Sequence, residues 1–221
     1  MKPGIRALLA EGVGSFFLFA TVVGSGIMAE KFADGNVAIA LIGNTLATSA
    51  ILFVLITMLA PVSGAHFNPA VSLVMWLRRE IDARRLAGDL IVQLVAGIAG
   101  IWAAHLMFDQ AILQLSTKPR SGTGQWAGEF VATFGLILTI IGTVRHRPQW
   151  VPATVALYIA AAYWFTSSTS FANPAITIAR SLSNSFAGIA PADVPGFILA
   201  QLAGALCAVG VARLLFDGDP S

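Results

Sequence analysis

Two tripeptides carry the clearest chemistry in the chain: Asn68-Pro69-Ala70 and Asn173-Pro174-Ala175, 105 residues apart. Asn is a favoured helix N-cap and Pro suits the first helical position, so each tripeptide should open a helix. An Asn that caps with its side-chain oxygen, accepting from the amide of about Val71 or Ile176, keeps its NH2 group free to donate. A helix start also carries roughly half a positive charge. Two such starts brought face to face would repel cations while orienting a passing hydroxyl or carbonyl oxygen, which is a filter for neutral solutes. The residues before each motif, Gly64-Ala65-His66-Phe67 and Thr169-Ser170-Phe171-Ala172, would be extended and supply backbone carbonyls. Irregular backbone of that kind is tolerated at membrane depth only where it lines protein or water.

The elements that must position these motifs are membrane spans. The 221-residue chain is 57% hydrophobic and 11% charged, with a mean hydropathy of +0.79, against roughly 25% charged in soluble domains. Six apolar stretches, about 6–29, 37–60, 86–108, 126–144, 151–167 and 195–215, lie near the ~20 residues that cross a bilayer. The first reads as a span rather than a cleaved leader, because its apolar run continues through Gly26 without a processing site. Asn68 to Leu77 and Asn173 to Leu182 are half-spans: about ten residues of helix cover about 15 Å.

Six crossings put both termini on one face. Lys2, Arg6, Arg78, Arg79, Arg84, Arg85, Arg145, Arg147 and Arg213, nine of the thirteen Lys and Arg residues, fall on that face. The other face receives Lys31, Lys118 and Arg120, so the positive-inside rule predicts cytoplasmic termini. The chain repeats itself: Ala10-Glu11-Gly12 matches Gly128-Glu129-Phe130, and Gln93-Leu94 returns as Gln201-Leu202, at offsets of 118 and 108. Three spans per copy, an odd number, make the copies inverted repeats about an axis in the membrane plane. The expected organisation is a single channel domain, 1–221, with a first repeat of about 1–108, a connecting loop of about 109–124 and a second repeat of about 125–221.

These residues resemble the aquaporin, or major intrinsic protein, family. Ser63-Gly64-Ala65-His66-Phe67-Asn68-Pro69-Ala70-Val71 is similar to its first signature loop, and the likeness extends over nearly the whole chain, in the manner of a bacterial aquaglyceroporin. The resemblance implies an all-α fold of six transmembrane helices and two half-helices, a homotetramer with one pore per protomer, and no cofactor. It assigns Glu11 and Glu129 to bracing the two loops. His66, isolated from His105 and His146, reads as a hydrogen-bonded structural histidine rather than a relay or metal ligand.

The chain also departs from the family. Most members carry an arginine three residues after the second Asn, and here that position is Ile176. Matching the other filter positions by spacing gives Thr48, Ala161 and Ser170 beside Ile176, a small and uncharged ring. Such a ring should be wide, admitting glycerol, urea or undissociated metalloid acids such as arsenous acid as well as water. Arg180, one turn beyond Ile176, either lines the outer vestibule, or snorkels to the interface or pairs with another loop. The same spacing suggests Leu18, Leu52, Leu136 and Leu157 as an apolar pore wall, although leucines at helical spacing also face lipid.

Two other classes compete. A gradient-coupled transporter would also use inverted repeats and broken helices, but it needs an ion or proton site, and Glu11, Glu129 and Asp89 sit better as braces. A membrane enzyme needs a nucleophile with an adjacent base or a metal cluster, and no such arrangement is visible. The lone Cys207 permits no internal disulfide, and a net charge of +2 without charge blocks gives no reason to expect nucleic acid.

Overall fold

The computed structural model describes residues 3–216; Met1, Lys2 and the last five residues lie outside the described part. It contains eight α-helices in this part: α1 Pro3–Phe32, α2 Val37–Ser63, α3 Pro69–Leu77, α4 Ala83–Met107, α5 Thr123–His146, α6 Val151–Phe165, α7 Pro174–Arg180 and α8 Val194–Phe216. Four helix starts, those of α2, α3, α4 and α7, follow capping chemistry. Asn36 accepts from the amides of Ala38 and Ile39 at 3.1 and 3.2 Å to open α2, and Asp82 accepts from Arg85 N at 2.7 Å to open α4. Asn68 and Asn173 cap α3 and α7 with Pro at the first position.

Five helices, α1, α2, α4, α5 and α8, are long and apolar enough to cross a membrane. The sixth, α6, has 15 residues, about 22 Å of helix, and is led in by a single 3-10 turn, Pro148–Trp150. Outward-facing large apolar side chains such as Leu9, Phe17, Leu106, Leu157, Leu199 and Leu214 are half or more exposed. Spread over α1, α4, α6 and α8, they are suited to lipid tails rather than water.

Two close helix crossings are related by the repeat. A Cβ on Gly100 in α4 would come within 2.2 Å of Phe16 O in α1, and one on Gly204 in α8 within 2.3 Å of Phe130 O in α5. Only glycine allows those backbones so close, as in small-residue packing of membrane helices. The α1–α4 and α5–α8 pairs then frame the two half-helices. A large buried cluster, including Phe19, Val22, Leu55, Phe67, Ile101, Phe171 and Phe197, fills the centre. A second cluster, including Val74, Ile137 and Val209, packs behind α3.

Candidate functional site

The pore loops are held by a reciprocal arrangement. Asn68 accepts from Ala70 N at 2.9 Å, one residue earlier than its sequence suggests, and donates through Nδ2 to Ala172 O at 2.7 Å. Asn173 accepts from Ala175 N and Ile176 N at 3.0 and 3.2 Å and donates to Phe67 O at 2.8 Å. Each loop thus pins the other's asparagine. The NH2 groups are therefore not wholly free: one hydrogen of each is committed across the midplane, and the second remains for a solute.

Behind each loop stands a carboxylate. Glu11 accepts from Ser63 Oγ at 2.6 Å, His66 N at 3.0 Å and Phe67 N at 2.7 Å. Glu129 accepts from Phe171 N and Ala172 N, both at 2.8 Å. Two glutamines complete the braces. Gln93 Nε2 donates to Glu11 at 2.9 Å and to Ser72 Oγ at 3.0 Å. Gln201 Nε2 donates to Glu129 at 2.6 Å and to Thr177 Oγ1 at 2.9 Å. The recurrence of Gln-Leu at an offset of 108 held the signal for these partners, although sequence alone gave them no role.

The braces hold backbone that does not relax on its own. Ala65, Phe67, Ser170 and Ala172 all have left-handed φ, between 47° and 53°, at about 1–3 kcal/mol each for residues other than glycine. Charge-assisted bonds from buried carboxylates to the flanking amides offset that strain. The same twist lays the loops Gly64–Asn68 and Ser170–Asn173 along a cavity of about 240 Å³. His66 belongs to the first loop, its Nδ1 3.0 Å from Ser72 Oγ and 3.6 Å from Asp89 Oδ2.

Along the cavity lie Val144, Val151, Val155, Ile159, Leu52, Leu136, Leu18, Thr48, Tyr163, Ser170, Ile176 and Arg180. Three of the four spaced filter positions, Thr48, Ser170 and Ile176, are therefore on its wall. Ala161 is not: it lies exposed on the outer face of α6. Tyr163, two residues on, takes the place in the wall and donates its hydroxyl to Thr48 Oγ1 at 3.3 Å. The same two-residue offset explains the apolar wall: Leu18, Leu52 and Leu136 line the cavity, whereas Leu157 is 69% exposed and Val155 and Ile159 stand inside. Residues 151, 155, 159 and 163 form one i, i+4 stripe of α6. Counting back from Asn173 selected the opposite stripe.

Arg180 does not snorkel. It is 2% exposed and lines the cavity. Its guanidinium sits 3.3 Å above the Phe171 ring, and Nε donates to Ala187 O.

Residues 2–169 match the family described as Major intrinsic protein. The chain belongs to the major intrinsic protein family. As a member it is a multi-pass membrane channel and not an enzyme. Over 96% of its length it is 53% identical to Aquaglyceroporin AqpS of Rhizobium meliloti, covering 91% of that protein. It is 30% identical to Glycerol uptake facilitator protein-like 6 of Lactiplantibacillus plantarum, over 97% of this chain and all of that one. Its fold matches the X-ray structure of the aquaglyceroporin from Plasmodium falciparum with a TM-score of 0.68 at 19% identity, over 96% of each chain. That likeness confirms the six helices and two half-helices in inverted repeats expected of a major intrinsic protein.

Proposed function

We propose that this channel passes water and small uncharged solutes of the glycerol and urea type, undissociated arsenous acid among them, down their gradients. The observation that carries the reading is the uncharged ring of Thr48, Tyr163, Ser170 and Ile176 on the cavity wall, placed beyond two asparagines that cap facing half-helices. With isoleucine at 176, the four ring residues themselves carry no charge. Tyr163 makes one wall aromatic, so the opening is smaller than a ring with alanine there, and its apolar face beside the hydroxyls of Thr48 and Ser170 suits a polyol's carbon chain and oxygens. The relatives named aquaglyceroporin and glycerol uptake facilitator support the same solute class.

The saturated braces argue against a coupled transporter. Glu11 and Glu129 have both oxygens engaged by loop amides and a glutamine, which leaves neither as a proton relay. We place the protein in the cytoplasmic (inner) membrane as a homotetramer with both termini in the cytoplasm; the concentration of Lys and Arg on the terminal face supports the orientation.

Stopped-flow light scattering on proteoliposomes tests the reading, with water, glycerol, urea and arsenous acid compared in wild type and Ile176→Arg. The wild type should pass all four, and the variant should lose glycerol by about tenfold or more while keeping water. Passage of water alone in the wild type would remove the wide-filter reading.

A further inference from the structure

We propose that Arg180, Arg120 and Lys118 form a cation barrier at the mouth opposite the chain termini, supplying the fixed charge that position 176 lacks. The proposal rests on the channel reading above and goes beyond it, because it assigns charge selectivity to residues outside the filter ring.

Three consecutive carbonyls carry the argument. Phe186 O accepts from Lys118 Nζ at 2.6 Å, Ala187 O from Arg180 Nε, and Gly188 O from Arg120 Nε at 2.8 Å. One short strap therefore gathers a cation from the connecting loop, one from the end of α7, and another from the loop. Arg120 also donates to Ser168 O at 3.1 Å and lies 4.8 Å from the centre of the Phe171 ring, the ring that Arg180 covers at 3.3 Å. Phe171 is itself on the cavity wall, so both guanidiniums are anchored to the pore lining.

The strap is built to keep its shape. Ser183 Oγ is 2.9 Å from His105 Nε2, Gly188 N donates to Ser185 O at 2.9 Å, Ala190 N to Lys118 O at 2.7 Å, and Ser116 N to Ser181 O at 2.9 Å. Arg120 N donates to Asp193 Oδ2 at 2.7 Å. Among the described residues, no side-chain nitrogen of the three cations lies within 4.0 Å of a carboxylate oxygen. Carbonyl dipoles and two aromatic faces, Phe171 under the arginines and Phe186 under Lys118, orient these charges without cancelling them. Like charges held together beside a narrow, low-dielectric passage focus a positive potential into it, which excludes cations and leaves neutral solutes unaffected. Arg180, buried and on the wall, contributes most.

The test pairs two fluxes in the same proteoliposomes: glycerol by light scattering, and proton entry under a potassium diffusion potential, followed with an internal pH dye. Arg180→Leu should raise the ratio of proton entry to glycerol flux by about tenfold; the ratio is the readout because Arg180 itself lines the cavity. Adding Ile176→Arg to Arg180→Leu should restore exclusion. Arg120→Gln and Lys118→Gln leave the filter ring intact and should each raise the leak by a smaller factor; they carry the test if Arg180→Leu does not assemble. Unchanged proton entry in all the variants that pass glycerol overturns the barrier. Wild-type vesicles that pass neither water nor glycerol overturn the channel reading, and the barrier with it.

Discussion

The two mouths of this pore are built from repeat-related parts, yet they handle charge in opposite ways. At the midplane the halves are nearly interchangeable: Glu11 with Gln93 and Ser72 stands behind one loop as Glu129 with Gln201 and Thr177 stands behind the other. Away from the midplane they diverge. On the side of the termini, Arg85 Nε meets Asp89 at 2.6 Å and reaches Ser63 O at 2.9 Å, while Arg78 meets Glu80 at 3.0 Å. Each of those arginines has a carboxylate. On the opposite side, Lys118, Arg120 and Arg180 are held by carbonyls alone among their hydrogen-bonded side-chain contacts to the strap. The braces need equal strength on both sides because both loops are strained, whereas paired charge adds stability and unpaired charge adds selectivity.

The equivalence of the braces is the first thing to break. In Glu11→Gln and Glu129→Gln an NH2 group replaces one acceptor and faces a donor, so at least one loop amide loses its partner. Each variant should lose about 3 kcal/mol or more of loop stability and most of its glycerol flux, read by thermal unfolding in detergent and by light scattering. Equal losses fit the reciprocal pinning of Asn68 and Asn173. A variant of one half that keeps full flux would show that the braces are not equivalent.

A smaller effect sharpens the filter side. Tyr163→Ala should raise permeability to glycerol and larger polyols by about threefold to tenfold, and Ala161→Trp should leave every flux unchanged because that side chain lies off the cavity wall. The reverse pattern would return Ala161 to the ring.

Much of this arrangement was legible in the sequence. Charge-free runs of about span length, bounded by arginines, mark the crossings, and the two Asn-Pro-Ala motifs mark half-helix starts by local capping, which needs no tertiary information. The recurrence of Glu and Gln at offsets of 118 and 108 marks the repeat, and the family resemblance marks the two glutamates as braces, but the part played by the glutamines emerges only in the structure. What was not legible depended on loop geometry. The irregular path from Thr166 to Ala172, with three left-handed residues, shifts the register of α6 against Asn173, which is why Ala161 and Leu157 were expected where Tyr163 and Ile159 stand. The placement of Arg120 and Arg180 depends on the strap at 186–188, whose sequence, Phe-Ala-Gly, carries no sign that its carbonyls converge on cations.

The paired mouth gives a prediction of stability without selectivity. Asp89→Asn leaves Arg85 without its carboxylate and weakens a contact near His66. It should lower stability by about 1–2 kcal/mol, discounted for the partial exposure of Arg85, while proton exclusion stays as in the wild type. A leak in Asp89→Asn comparable to that in Arg180→Leu would mean that charge at both mouths governs selectivity, and the contrast between them would fail.

The smallest expected effect is at Lys118. Burial, then the neighbouring charges of Arg120 and Arg180, push its ammonium down to about 8, with Glu30 pulling weakly the other way. Arg120, pushed down to about 10 chiefly by burial, keeps its charge when Lys118 begins to lose its own. A lowered lysine pKa means that the charged form dominates below about 8 and is lost as pH rises through that value. Raising the pH on that side from about 7 to about 9 should therefore remove one of the three charges and increase cation leak by roughly twofold, with glycerol flux unchanged. Lys118→Arg should abolish the pH dependence at the low-leak level and Lys118→Met at the high-leak level. A pH response that survives both substitutions would have to come from a different group, and Lys118 would then be only a tether for the strap.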